Sequence, residues 1–152
     1  MPNIVNAEVT HIKDTVRLGL EYYSHSRFHN TDLEPETEVF HDILKSCLVA
    51  PNVMLQVLVD DDNKVHGMVQ ASLIPMAWSK KLNCAINLIY VDKCCKGKGY
   101  AEQFLTNVKE WATANNCYEL IAGDYAMDFE RTAKWYAKHG YTTVGQQYAI
   151  KI

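Results

Sequence analysis

Apolar residues recur along the chain at two spacings, one typical of strands and one typical of helices. Strand-like alternation or short apolar runs cover residues 4–9, 53–59, 65–74, 82–91, 118–122 and 141–152. Helical spacing predicts four helices. The first follows a Thr10 cap, and the second runs from Pro35 to about residue 48. The third runs from a glycine-rich loop at 96–101 to about residue 115, and the fourth from an Asp128 cap to Gly140. A polar turn at 60–64 makes the second and third strands an antiparallel hairpin. This order predicts an α/β or α+β architecture, a mixed sheet with helices on both faces.

Length and composition predict one domain over residues 1–152. The chain has a hydrophobic fraction of 48% and shows no linker or repeat, so a core can form without disulfides. Its net charge of -3 argues against a nucleic-acid partner. No stretch approaches the roughly 18 apolar residues that a membrane span needs. Residues 1–4 begin no charged segment with an apolar core behind it, so we expect no secretory signal and a cytoplasmic protein.

The five cysteines have no repeated spacing. Cys94 and Cys95 are adjacent, and the others stand singly in apolar runs. A metal site would need a second Cys or His pair at fixed spacing, and the sequence shows none. We therefore expect reduced thiols and no metal.

A glycine-rich loop follows the strand at 82–91 and precedes a helix, which is a common arrangement for binding an anion. The first amides of a helix lack intrahelical partners, and glycine lets the backbone approach a phosphate closely. Glu102 stands where a dinucleotide-binding loop needs its third glycine, and Gly99 stands where a Walker loop needs Ser or Thr. The loop at 96–101 matches a third pattern, the acetyl-CoA loop Arg/Gln-x-x-Gly-x-Gly/Ala, with lysine as the first residue. The remaining interpretation is that the loop is a tight strand-to-helix turn that binds no ligand.

Two segments resemble one protein family, the Gcn5-related N-acetyltransferases. Residues 91–104 resemble its stretch Val-x-Pro-x-x-Arg-Gly-x-Gly-x-Gly-x-x-Leu, with Lys93 for the proline and Lys96 for the arginine. Residues 135–141 resemble its Phe-Tyr-x-Lys-x-Gly-Phe segment. The separation of the two segments and the order of elements also fit. The resemblance implies that family's fold, a mixed and mostly antiparallel sheet with helices on both faces.

The resemblance further implies acetyl-CoA as cosubstrate. Its pantetheine would lie between the strand that ends at Val91 and the strand that begins near Tyr118. Its diphosphate would lie on the loop amides. The implied cofactor-binding residues are Ile89, Tyr90, Val91, Lys96, Gly97, Lys98, Gly99, Tyr100 and Ala101. The acetyl group would pass by direct attack to a primary amine on a small molecule or a protein, which residues 22–34 would select.

Two residues take catalytic positions by resemblance. Tyr136 matches the family's proton-donating tyrosine, and its phenol is protonated at neutral pH. Aromatic packing in the core is the other interpretation of this residue. Asn87 fills a site where many family members place a glutamate base; it cannot take a proton but can hold a water. Other candidates for the base or for acceptor binding are Glu21, His25, His29, Glu34 and Asp124, and a water chain to solvent is the alternative.

Two other function classes compete with the enzyme. The missing strand glutamate favours a catalytically silent CoA-binding module, and the glycine loop alone would suit a nucleotide-binding regulator. About a dozen residues follow Gly140, whereas the family usually closes with two strands. Either the chain supplies one bent strand or a partner in a homodimer completes the sheet.

Overall fold

The computed structural model describes residues 1–123 and 128–152. The strands are β1 Asn3–Asn6, β2 Val53–Val59, β3 Val65–Pro75, β4 Leu82–Val91 and β5 Cys117–Ala122. The helices are α1 Ile12–Ser24, α2 Thr37–Cys47, α3 Tyr100–Ala114 and α4 Phe129–Lys138, with a short 3₁₀ turn at Val9–His11. None of these helices is long and apolar enough to cross a membrane.

The five strands form one sheet in the order β1-β2-β3-β4-β5. The first four pair antiparallel, and β5 pairs parallel to β4. The parallel pair needs a crossover connection, and α3 is that crossover. The mixed, mostly antiparallel sheet predicted from the sequence is confirmed.

The helices cover both faces of the sheet, as predicted. Successive residues of β2 point in opposite directions. Val57 packs in one cluster with Leu18 of α1, and Leu58 packs in another with Phe104 of α3; all four side chains are fully buried. Trp135 and Tyr136 of α4 pack against the cluster on the α3 side.

A bulge in β4 lies at Asn87. Gln70 pairs with Leu88 and Ala71 pairs with Ile86, so Asn87 is the extra residue. A bulge bends its strand and increases the local twist. The register of β4 with β5 ends at Ile86 and Ala122, beside the bulge, although β4 continues to Val91. In the described residues, β4 therefore extends beyond the end of β5, and its last residues pair with β3 alone.

The start of the chain differs from the sequence prediction. β1 ends at Asn6 rather than at residue 9, and α1 begins at Ile12 without a Thr10 cap. The reason is His11, which is buried and whose ring accepts a hydrogen bond from the Glu8 amide at 3.0 Å. That contact closes the 3₁₀ turn and moves the cap of the α-helix from Thr10 to His11, one residue later. The second helix also begins late, at Thr37.

The C-terminal strand predicted over residues 141–152 does not form. Alternation suggested a strand, but a strand also needs a neighbouring edge and a face to bury. Val144, Tyr148 and Ile150 are 74%, 88% and 84% exposed, so this segment buries little apolar surface. The prediction that Asp128 caps the last helix is confirmed, since its side chain accepts a hydrogen bond from the Arg131 amide, and Gly140 ends that helix with φ of +88°.

Candidate functional site

The glycine-rich loop turns directly into α3 through two glycines with left-handed backbones. Gly97 has φ of +76° and Gly99 has φ of +87°, values that glycine adopts without strain. A side chain built at either position would meet nothing within 4 Å, so open space lies in front of both. Gly99 precedes the first turn, and its carbonyl accepts the Gln103 amide at 3.0 Å. The amides of residues 100–102 thus head the helix without intrahelical acceptors, an arrangement suited to an anion.

Lys96 adds a positive charge beside this turn. The amides of Cys95 and Lys96 both donate to the Asp92 carbonyl, at 3.1 and 3.0 Å, and this closes the turn that carries the lysine. The Lys96 ammonium lies 5.3 Å from the centre of the Tyr90 ring, within the range of a cation–π interaction. The charge is therefore held near the end of β4.

The second part of the site is the backbone of β4 beyond the bulge. Residues 88–91 pair with β3 on one side, whereas the described register with β5 has already ended at Ile86. In an edge of this kind, alternate backbone N–H and C=O groups face outward and can pair with an extended ligand.

A cavity of about 620 Å³ joins the loop, this backbone and α4. Its size is ordinary for a small-molecule site. The predicted site residues that line it are Asn87, Ile89, Tyr90, Val91, Lys96, Gly97, Gly99, Tyr100, Ala101 and Tyr136. Lys98 is not among the lining residues in the described part of the chain; it is exposed on the loop.

The cavity also contains Arg131, which the sequence did not assign to any site, and two residues of the segment expected to bind the acceptor. Arg131 lies in the first turn of α4 and adds a second cation to the wall. Tyr22 and His25 reach the cavity from the end of α1. The predicted Asp128 cap places Arg131 in the first turn of a helix. Nothing in the sequence shows that this turn of α4 lies beside the glycine-rich loop.

Tyr136 is held in an aromatic group on α4. Its ring makes edge contacts with Trp135 and Tyr141, at centroid distances of 5.0 and 5.2 Å. Asn87 projects from the bulge, and its amide nitrogen donates to Ser72 Oγ at 2.7 Å. Both residues line the one cavity, so the structure brings together the two catalytic candidates, 49 residues apart in the chain.

The other candidates for a base lie in different places. Glu21 accepts a hydrogen bond from the Tyr90 hydroxyl at 3.1 Å. Burial, and then the Glu21 carboxylate, raise the pKa of Tyr90 above its ordinary value of 10.0, so this hydroxyl remains a donor. Glu34 lines a second cavity. Asp124 lies outside the described residues.

The second cavity, of about 330 Å³, lies between α1 and α2. Its walls are mainly apolar and include Leu20, Phe40 and Ile43. It shares Tyr22 and Leu88 with the larger cavity, so the two adjoin. The segment of residues 22–34, which was expected to select the acceptor, supplies several of its other walls.

Comparison with known proteins gives a consistent result. The sequence model of the acetyltransferase (GNAT) family matches residues 19–141. No curated protein sequence matches the chain. The fold is similar to that of an acetyltransferase from Trypanosoma brucei, with a TM-score of 0.77 and 15% identity over 100% of both chains.

Two further structures are similar in fold. One is the aminoglycoside antibiotic 6'-N-acetyltransferase AAC(6')-IG from Acinetobacter haemolyticus, with a TM-score of 0.76 and 17% identity over 99% of both chains. The other is a transcriptional regulator from Bacillus halodurans C-125, with a TM-score of 0.81 and 13% identity over 100% of both chains. At these identities the likeness concerns the fold alone.

Proposed function

Because the chain belongs to the acetyltransferase (GNAT) family, we propose that it is an acetyl-CoA-dependent N-acetyltransferase that acts on a primary amine. One observation carries the proposal. A single cavity is bounded by the glycine-rich turn, by the β4 backbone beyond the bulge, and by the Tyr136 side chain. These are the three features that binding a phosphorylated thioester and protonating its leaving sulfur require.

The described residues fit acetyl-CoA. The amides at the start of α3, with Lys96 beside them, suit the diphosphate, and the open space in front of Gly97 and Gly99 leaves room for it. The outward backbone groups of residues 87–91 suit the amides of the pantetheine arm. Acetyl-CoA supplies the activated acyl thioester.

Tyr136 acts as the proton donor in this proposal. Direct attack by a neutral amine forms the amide C–N bond and breaks the C–S bond, so the departing sulfur needs a proton. The Tyr136 hydroxyl donates that proton and recovers one from solvent. Asn87 holds a water near the amine, and the amine's proton leaves through water to solvent.

The acceptor enters from the second cavity. Its apolar walls suit an amine carried on an apolar group, and Glu34 and Glu36 among its lining residues suit an ammonium ion before it loses its proton. Since the two cavities share Tyr22 and Leu88, an amine bound in the second can reach the first.

Ligand-dependent melting tests the cofactor without knowledge of the acceptor. A ligand that binds only the folded state contributes about 2.7 kcal/mol at a hundredfold excess over Kd. We expect acetyl-CoA and CoA to raise the melting temperature nearly equally, because they share the diphosphate and the pantetheine arm. ATP and NAD, which lack that arm, should raise it much less. An equal shift with ATP would indicate a general phosphate site, and no shift with either CoA species would refute the proposal.

Replacing Tyr136 by Phe separates an enzyme from a silent CoA-binding module. The change keeps the ring and removes the proton, so turnover of an amine found in a mixed panel should fall roughly 100-fold while CoA affinity stays the same. Tyr141→Phe is the matched control, because that ring touches Tyr136 but does not line the cavity in the described structure. Equal turnover of wild type and Tyr136→Phe would assign the proton to water. No turnover of any amine by wild type that binds CoA would favour the silent module.

A further inference from the structure

A second cluster of reactive side chains lies at the end of β4, just before the glycine-rich loop. It consists of His66 on β3 and Asp92, Cys94 and Cys95 after β4. One ligand atom from each of the four residues lies within 4.8 Å of all the others. The cluster is separate from the residues proposed to act on the substrate, although Cys95 also touches the cavity wall.

The distances inside the cluster are short. His66 Nδ1 lies 2.8 Å from Asp92 Oδ2 and 3.3 Å from Cys94 Sγ. Cys94 Sγ lies 3.0 Å from Asp92 Oδ1 and 3.4 Å from Cys95 Sγ. A tetrahedral zinc ion with bonds of about 2.0–2.3 Å holds its ligand atoms about 3.3–3.8 Å apart. Opening these four contacts by about 0.2–0.6 Å would therefore bring them to zinc-ligand distances, while the other pairs of ligand atoms already lie within 4.8 Å of one another.

The ligand types select a metal. Two thiolates, one imidazole and one carboxylate are donors that zinc accepts in a four-coordinate site. Mg²⁺ and Ca²⁺ prefer oxygen ligands alone, so thiols argue against both. A charged histidine between two aspartates would explain His66 and Asp92 by itself, but it gives no role to two adjacent sulfur atoms turned toward the same point.

Asp60 supplies an independent observation that concerns the orientation of the imidazole. Its Oδ2 lies 2.7 Å from His66 Nε2, on the side of the ring away from the thiols. Its Oδ1 accepts the amides of Asp62 and Lys64, at 2.9 and 3.0 Å, so the carboxylate is itself held in place. A metal-binding histidine usually donates its other ring N–H to such a group, which fixes the tautomer and turns the free nitrogen to the metal.

The proposed ligands are also largely buried, as those of a structural metal ion usually are. His66, Asp92 and Cys95 are 8%, 7% and 4% exposed, so most of the site is shielded from water. Cys94 is exposed and gives the ion a path from solvent.

We propose that His66, Asp92, Cys94 and Cys95 bind one Zn²⁺ ion, with Asp60 as the group that orients the histidine. The ion would join β3 to the turn that carries Lys96. The Asp92 carbonyl already accepts the amides of Cys95 and Lys96 in that turn. The site does not depend on the acetyltransferase activity, so its test needs neither acetyl-CoA nor an acceptor.

Metal titration of the reduced, full-length chain tests the site. Zn²⁺ is added in competition with a chelating indicator, and Co²⁺ is used as a spectroscopic probe, with a non-thiol reductant present. Wild type should bind one Zn²⁺ per chain and should give a thiolate-to-Co²⁺ charge-transfer band. Cys94→Ser should weaken Zn²⁺ binding at least 100-fold and diminish the band. Cys117→Ser, a change at a half-buried cysteine on β5, is the matched control and should leave both unchanged.

Asp60→Asn distinguishes an organised site from a pair of surface thiols. It keeps all four ligands, and loss of such an orienting group costs roughly 10–100-fold in metal affinity. Thermal melting without metal should show that each variant is folded. If Cys94→Ser does not fold, the charge-transfer band of wild type and the Zn²⁺ affinity of Asp60→Asn test the proposal instead. The proposal is overturned if wild type binds less than one Zn²⁺ or shows no charge-transfer band. It is also overturned if the affinity is unchanged by both Cys94→Ser and Asp60→Asn, or falls equally with Cys117→Ser.

Discussion

Gly99 and Gly140 form a natural pair for testing where the CoA diphosphate binds. Their φ values are +87° and +88°, and a side chain at either position would meet nothing within 4 Å. Gly99 lines the larger cavity, whereas Gly140 lies at the end of α4 and is not among the described lining residues. Changing each glycine to valine therefore imposes the same backbone strain at two places, of which only one faces the proposed ligand.

The size of both effects can be worked out in advance. A left-handed backbone costs an L-residue roughly 1–2 kcal/mol, and β-branched residues tolerate it worst. For a domain of this length, each kcal/mol lost from the free energy of unfolding lowers the melting temperature by roughly 2–4 °C. Each variant should therefore melt roughly 2–8 °C lower than wild type. Saturation by CoA at a hundredfold excess over Kd should raise the melting temperature by roughly 5–11 °C.

The assay measures melting with and without CoA, and calorimetric titration checks the affinity. We expect Gly140→Val to melt lower than wild type but to keep the full CoA-dependent rise. Gly99→Val should melt comparably lower and should lose that rise, because the valine side chain fills the space in front of the loop amides.

Two results would refute this reasoning. If Gly99→Val kept wild-type affinity for CoA, the diphosphate would have to bind elsewhere. If Gly140→Val lost the CoA-dependent rise as well, strain transmitted through the fold, and not contact with the ligand, would explain the loss.

Two further predictions concern stability. Gly67→Ala should lower the free energy of unfolding by about 1–3 kcal/mol, since its new carbon would lie 3.1 Å from the Tyr90 carbonyl oxygen and 3.2 Å from the Phe104 ring; urea unfolding that showed no loss would mean that the core yields there. Asp14→Asn should cost about 0.5–1 kcal/mol at neutral pH, because the Asp14 carboxylate accepts a charged hydrogen bond at 2.6 Å from Arg17, a pair that is partly screened by solvent. That bond is the main cause that holds the pKa of Asp14 below its ordinary 3.8, so its contribution is present above pH 3.8 and is lost as the pH falls through the lowered pKa. A difference between wild type and Asp14→Asn that stayed constant through this range would exclude the charge as the cause.

Local patterns were sufficient for most of the fold. The bounds of β2 and β4 match the prediction at both ends, because apolar runs between turn residues specify a strand without reference to distant residues. The glycine-rich turn was also visible, since glycine is the residue that left-handed backbones require. The errors lie where distant residues decide. His11 is buried and its Nε2 lies 3.0 Å from Asn63 Oδ1, and the segment after Gly140 buries little apolar surface.

The sequence alone determined the order of the elements and the position of the glycine-rich turn, and it supplied Tyr136 as the proposed proton donor, because each depends on residues close together in the chain. Only the tertiary structure decided that these parts share a cavity. The bulge at Asn87 lies where the pairing of β4 with β5 ends, and the packing of α4 brings Arg131 and Tyr136 to the opening. Likewise, His66 meets Cys94 only because β3 and β4 are neighbours in the sheet, which places side chains 28 residues apart within 3.3 Å. Spacing along the chain carries no signal for such a meeting, since the partner strand and its register determine it.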